Sequence, residues 1–291
     1  MRFIFLFLFI SITLWSFETD TTKLKNYTII DKDFIIAQVP FKAIRSWKQG
    51  GDNYFLILNK DKFTTHIVKT LPKHEENIVT NFSILKSQLL TLPHALHYFG
   101  IKEPKNDKIF LTIDMCPSEK SGYEKVLFEF IKNAKSTANI AITGKWMLEH
   151  QKDFDELKTS GLDIRWINHS FSHFYDKNSK DLATNFMRRN PENFENEVIK
   201  TEKLLLVNKQ IPTPFFRFPG LVSSKELIDK LLNKFNLLPL STNNWLNITN
   251  KTIQKGDIVL LHGNLNEHRG IVRFFDQNHI GQHFSPIEDI F

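Results

Sequence analysis

The sequence predicts an α/β fold: a parallel sheet curled into a distorted, incomplete (β/α) barrel over residues 107–291, behind a small mixed region at 17–106. Two observations predict it. After Pro104-Lys105-Asn106-Asp107, apolar strand-like runs alternate with amphipathic helical stretches, the pattern of βαβ units on a parallel sheet. The span holding them, roughly 180 residues, is short for eight complete units, which typically take about 250.

The elements follow in order. Tyr27–Ile30, Phe34–Ala37 and Tyr54–Leu58 read as strands rich in β-branched and aromatic residues, with Gly50-Gly51-Asp52-Asn53 a turn between two of them. Helical spacing of Ile78, Phe82, Leu85 and Leu89 predicts a helix within Glu75–Leu92. Lys108–Ile113 is the first barrel strand. Tyr123–Ala134 is an amphipathic helix with Val126, Leu127, Phe130 and Ile131 inward. Ala138–Ile142 is a strand ended by Gly144, and Lys145–Leu157 is mostly helical. Gly161-Leu162-Asp163 turns into a short buried strand carrying Ile164, Trp166 and Ile167. Asn190 caps and Pro191 opens a helix running to about Val207. Phe215-Phe216 is a strand, Ser223 and Glu226 form a capping box for a helix over Lys225–Phe235, and Leu237–Leu240 and Asp257–Leu261 are the last strands.

Composition bounds the function. With 41% hydrophobic and 24% charged residues the chain is an ordinary folded protein. Its net charge of +6 comes from scattered lysines, with no basic stripe interleaved with aromatics, which argues against nucleic acid as a partner. Residues 1–16 read as a signal peptide or N-terminal anchor: Met1-Arg2, an apolar run from Phe3 to Ile12, then a polar exit. The run is short of the roughly 20 residues of a membrane span. The expectation is an exported protein, periplasmic, cell-envelope or secreted, with membrane attachment through that segment left open. The single cysteine, Cys116, rules out an intrachain disulfide.

Strand ends are where α/β folds collect their chemistry, and four of them here deliver polar groups. Asp114 follows the first strand and suits a general base, or a turn former. His169 and His173 follow the third; if the chain turns helical there, four-residue spacing puts both on one face as two metal ligands. Arg217 follows the fourth and suits a bidentate grip on a carboxylate, or a salt bridge to a helix. His262 closes the run Val259-Leu260-Leu261 and suits a general acid, or a packed histidine. His66, His74, His94 and His97 read as structural or surface residues.

Taken as an ordered set, these residues resemble the polysaccharide deacetylase, or NodB-homology, family over about Lys108–Phe284. The family's Asp-Asp pair corresponds to Asp114-Met115 and its His-Ser/Thr-x-x-His to His169–His173. Its Arg-x-Pro-Gly corresponds to Arg217-Phe218-Pro219-Gly220, its Asp-Trp to Asn244-Trp245, and its terminal hydrophobic run and His to Leu260-Leu261-His262. The resemblance implies a NodB-type barrel that removes acetyl groups from an N-acetylated glycan of the cell wall or another polysaccharide. It implies Asp114 as base, His262 as acid, Arg217 orienting Asp114, His169 and His173 on a divalent metal (zinc, cobalt or nickel), and Pro219 and Trp245 against substrate.

Two positions depart from the family. Met115 stands where the resemblance puts the metal-binding Asp, and a neutral thioether cannot replace a carboxylate, so the metal site is expected to be weakened. Cys116 could bind metal as a thiolate, but at the position of the family's Gly it is expected to be inertly buried. Asn244 replaces the Asp before Trp245 and is expected to leave Arg217 short of a carboxylate. These departures keep open the alternative of a catalytically inactive carbohydrate-binding or scaffolding protein on the same fold.

Overall fold

A computed structural model of the protein describes residues 17–72, 79–119, 122–277, 279 and 281–291. The apolar segment 1–16, His74 and Ile78 lie outside these. No helix among the described residues is long and apolar enough to cross a membrane.

The N-terminal region is a four-stranded antiparallel meander, β1 (Lys25–Ile36), β2 (Val39–Gln49), β3 (Asp52–Asn59) and β4 (Thr65–Val68). The two strands expected at 27–30 and 34–37 are one. Asp31-Lys32-Asp33 does not interrupt it, because buried Lys42 pairs with Asp31 and Asp33, and Lys60 with Asp33. Its hairpin turns on Ala37 (φ 48°) and Gln38 (φ 68°), residues without the usual turn signature, which concealed β2. The following helix, α1 (Asn81–Thr91), starts later than expected, at a Thr80/Ser83 capping box, and buries Phe82, Leu85 and Leu89.

The main sheet has seven strands, all parallel, in the order β10-β11-β5-β6-β7-β8-β9. It is built from β5 (Phe110–Met115), α2 (Lys125–Asn133), β6 (Thr137–Ile142), α3 (Gly144–Glu149), α4 (Gln151–Thr159), β7 (Asp163–Asn168), α5 (Phe194–Val207), β8 (Pro212–Phe216), α6 (Lys225–Asp229), β9 (Leu238–Pro239), β10 (Asn244–Trp245), β11 (Ile258–His262) and α7 (His268–Phe275). This is the expected distorted barrel of the NodB type with a small antiparallel sheet before it. Local expectations shift in places. α2 buries Leu127, Phe128 and Ile131, while Val126 is 65% exposed. Ser224, not Ser223, caps α6, which continues as a π-helical turn over Lys230–Lys234.

The sheet separates two apolar layers. Ile109, Leu111, Ile113 and Met115 face α2, α3, α4 and α7, whereas Phe110 on the other face of β5 joins a core shared with β2, β3 and α1. Strand parity produces this split, since successive side chains point to opposite faces. The meander is also held to the barrel by a buried bidentate pair from Arg45 Nε and Nη2 to Glu202 on α5, both at 2.7 Å.

The C-terminal turn buries Ile287 and Ile290 and sets Glu288 3.1 Å from Arg165. Burial pushes Glu288 up to about 7, against the pull of Arg165. A carboxyl raised on folding contributes stability that is complete below its unfolded value and lost as pH rises through its folded one. Stability should therefore fall between about pH 4.5 and 7, by roughly 1–3 kcal/mol. Glu288→Gln should flatten that slope in urea melts; parallel slopes for the two proteins would refute the assignment.

Candidate functional site

Five of the seven residues singled out in the sequence converge at the carboxyl ends of β5, β7, β8 and β11. In register, His262 of β11 sits opposite Asp114 of β5. Asp114 Oδ1 accepts a 2.8 Å hydrogen bond from Arg217 Nη1, and its Oδ2 lies 3.5 Å from His169 Nε2. Arg217 is fully buried and also donates to Thr112 Oγ1 at 2.7 Å and to the Ser241 carbonyl at 3.1 Å. Burial alone would raise the Asp114 carboxyl; Arg217, His169 and His262 together hold it below the usual carboxylate range.

The histidine segment is not helical. It is an irregular loop in which Ser170 (φ 70°) and His173 (φ 46°) are left-handed, a conformation that costs free energy and persists only when its surroundings enforce it. They do so from two sides. The Gly144 and Lys145 amides at the start of α3 donate to the Ser170 and Phe171 carbonyls at 3.1 and 2.8 Å. The buried Glu197 carboxylate on α5 accepts from the Phe171 and Ser172 amides and the Ser172 hydroxyl at 2.8–3.0 Å. His169 Nδ1 is fixed 2.8 Å from the Arg217 carbonyl, so Nδ1 carries a proton and Nε2 is the nitrogen turned to the site.

That nitrogen faces a sulfur. Cys116 Sγ lies 3.6 Å from His169 Nε2 and 3.4 Å from His173 Nε2, and the three donor atoms lie within 4.8 Å of one another. Cys116 is therefore part of the site, not inert filler. Burial would raise its thiol, but His173, His262 and His169 hold it well below its ordinary value. The residues present fit a divalent metal: two imidazoles, one thiol and an open side toward the cleft form the three-ligand set of a catalytic centre. Met115 takes no part. Its sulfur packs beneath Gly263 beside Ile113 and Phe128, on the helix-facing side of the sheet, where a Cβ on Gly263 would come within 2.5 Å of it.

Asp114, Cys116, His173 and His262 open onto a cleft of about 1060 Å³. His262 Nδ1 lies 2.7 Å from Glu267 Oε2, an ion-pair contact out of line with the ring N–H. Burial would lower His262, but Cys116 and Glu267 raise it well above its ordinary value. Glu267 also accepts from Trp245 Nε1 at 3.0 Å, setting the indole against the His262 ring at 6.4 Å and against Tyr98 across the cleft at 6.4 Å.

One expectation is corrected. Pro219 is buried and lies outside the cleft lining, which Gly220 and Leu221 form instead, because Pro219 opens a turn that brings Gly220 (φ 61°) forward. Asn244 faces away from Arg217, donating to Asp257 at 2.9 Å and accepting from Thr249 at 2.8 Å; Asp114, Thr112 and Ser241 serve Nη1 and Nη2 of Arg217, and its buried Nε has no hydrogen-bond partner among the described residues. His97, expected to be structural or surface, lines the cleft beside Tyr98. Sequence reasoning missed Tyr98, Glu197 and Glu267. Glu267 lay one short turn beyond His262, but Glu197 carried no local signal.

Comparison with known proteins bears on the fold. The polysaccharide deacetylase family model matches residues 101–237, a stretch holding Asp114, His169, His173 and Arg217 but ending before Trp245 and His262. One similar solved structure is a mutant of a family 4 carbohydrate-esterase pseudoenzyme from Bacillus anthracis with restored enzymatic activity. It is 13% identical over 92% of this chain and 93% of that one, with a TM-score of 0.50. PdaA of Bacillus subtilis, a family 4 carbohydrate esterase, is 19% identical over 66% and 85%, with a TM-score of 0.49. A family 4 carbohydrate esterase from Bacillus anthracis is 21% identical over 71% and 91%, with a TM-score of 0.47. At these identities the likeness is one of fold. Over residues 101–237, the chain is similar to the polysaccharide deacetylase, or NodB-homology, family.

Proposed function

We propose that this chain is an exported hydrolase that removes acetyl groups from an N-acetylated glycan of the cell envelope. One observation carries the reading: an ionised carboxylate, a raised imidazole and a three-donor cluster all open onto one cleft with an aromatic wall. An amide carbonyl is a poor electrophile whose tetrahedral intermediate bears an oxyanion. A divalent metal, held at the His169–His173 pair with a third donor from the end of β5, supplies carbonyl polarisation and charge neutralisation when bound. Asp114, kept ionised by Arg217, takes a proton from the attacking water. His262, raised by Cys116 and Glu267, protonates the departing amine as the C–N bond breaks, giving acetate and a free amino sugar. Trp245 and Tyr98 offer ring faces to the sugar. The apolar segment 1–16 supports export and leaves attachment to the membrane as part of the same proposal.

The test is acetate release from chitooligosaccharides and from peptidoglycan by the purified full-length chain loaded with zinc, cobalt or nickel. Acetate and new amine should appear in equal amounts. Saturable glycan binding without acetate under all three metals would replace the hydrolase with a carbohydrate-binding protein.

A further inference from the structure

The family's carboxylate ligand is absent at position 115, yet the histidine pair is built with care: one ring oriented by a backbone carbonyl, the loop fixed from two helices. We propose that Cys116 is the third metal ligand, as a thiolate, and that this makes the centre selective for zinc-class ions over the hard, oxygen-preferring magnesium and manganese. The proposal rests on a metal occupying the site described above, and does not require the substrate to be a glycan.

Geometry is the first support. With metal–sulfur about 2.3 Å and metal–nitrogen about 2.0–2.1 Å, a tetrahedral centre has a sulfur–nitrogen edge of about 3.6 Å. The sulfur stands at 3.6 Å from one Nε2 and 3.4 Å from the other. A thiol has one proton and can satisfy only one lone-pair nitrogen by hydrogen bonding. His169 Nδ1 is committed to the Arg217 carbonyl, so its Nε2 has no proton to give while the ring is neutral. One sulfur standing at metal-ligand edge distance from both Nε2 atoms is the arrangement of three donors around a cation.

Placement is the second. Thr112, Asp114 and Cys116 lie at alternating positions on β5 and its end, and the first two meet Arg217 on the inner face. The same parity sends Met115 into the helix-facing layer. The Asn264 side chain donates to the Cys116 carbonyl at 3.0 Å, fixing the backbone just where the strand ends. Charge is the third. A thiolate supplies the single negative charge that the missing carboxylate would have given, and soft sulfur donors favour zinc and cobalt where carboxylates suit magnesium and manganese.

Cobalt reports the ligand directly. The full-length chain loaded with cobalt should show a sulfur-to-cobalt charge-transfer band in the near ultraviolet, abolished in Cys116→Ser, whose zinc affinity should fall by at least about 10–100-fold. Cys116→Asp should keep metal without the band and lose the preference for zinc over manganese. Should Cys116→Ser fold poorly, the band in the unaltered chain still decides. Cobalt bound with no such band, no metal bound at all, or zinc held equally well by Cys116→Ser would each overturn the proposal. Absence of acetate release beside a clear band would overturn only the hydrolase reading.

Discussion

Asp114→Asn should lower kcat for acetate release by about 10²–10⁴-fold, the usual contribution of a positioned general base, while bound metal stays within experimental error of the unaltered chain. The substitution is nearly isosteric and keeps an oxygen able to accept from Arg217 Nη1, now 2.8 Å from Asp114 Oδ1. What it removes is the basic atom, Oδ2, on the side of His169 and the cleft. KM should change little, because the aromatic surfaces of Trp245 and Tyr98 are untouched. Stability should fall as well. Arg217 is fully buried, and taking the charge from its partner leaves a guanidinium with only neutral acceptors at Thr112 and Ser241. Loss of one member of a buried ion pair costs about 3–5 kcal/mol, and the isosteric amide retains part of the interaction. Acetate release should therefore be measured below the variant's melting transition. An Asn variant keeping a tenth or more of the original kcat would remove Asp114 from the base role.

The fold was legible in the sequence wherever an element carried its own pattern. β5, β6 and β11 are mostly apolar and buried along their whole length because both faces of the sheet are covered, β7 carries Ile164, Trp166 and Ile167, and α2 and α5 announce themselves by spacing and by Asn190-Pro191. Elements defined by partners were not. β10 is two residues long and exists through its pairing with β11, and β2 was hidden behind a turn made of Ala37 and Gln38. The charged stretch Asp31–Asp33 reads as a break until Lys42 and Lys60 are placed beside it.

The site shows the same division. Position along the chain gave the identities of Asp114, His169, His173, Arg217 and His262, since each closes or follows a strand. It did not give the conformation that joins His169 to His173. That depends on Glu197, far along the chain on α5, and on two amides of α3, so a local rule favoured a helix that does not form. Cys116 was different: strand parity alone put it with Asp114, and the correspondence of Asp114-Met115 with a family pair drew attention to the wrong neighbour.

Met115→Asp decides between those two readings. By family correspondence it restores a lost ligand and should raise metal affinity. By the structure it does the reverse. Met115 is fully buried, with its sulfur against Ile113, Phe128 and the close-packed Gly263. The side chains around its sulfur are apolar, so a carboxylate there is buried without a partner. An uncompensated buried charge costs about 3–5 kcal/mol, or somewhat less if the group takes up a proton instead. That is a large share of a total stability of about 5–15 kcal/mol. The variant should melt early in urea and by calorimetry, and its zinc affinity at a temperature where it remains folded should be unchanged or lower. Met115→Leu, close in volume, should cost less than about 1.5 kcal/mol and leave metal binding alone, separating loss of packing from charge burial. A rise in zinc affinity of tenfold or more in Met115→Asp, with stability preserved, would mean that residue 115 faces the imidazoles, and would displace Cys116 from the third corner.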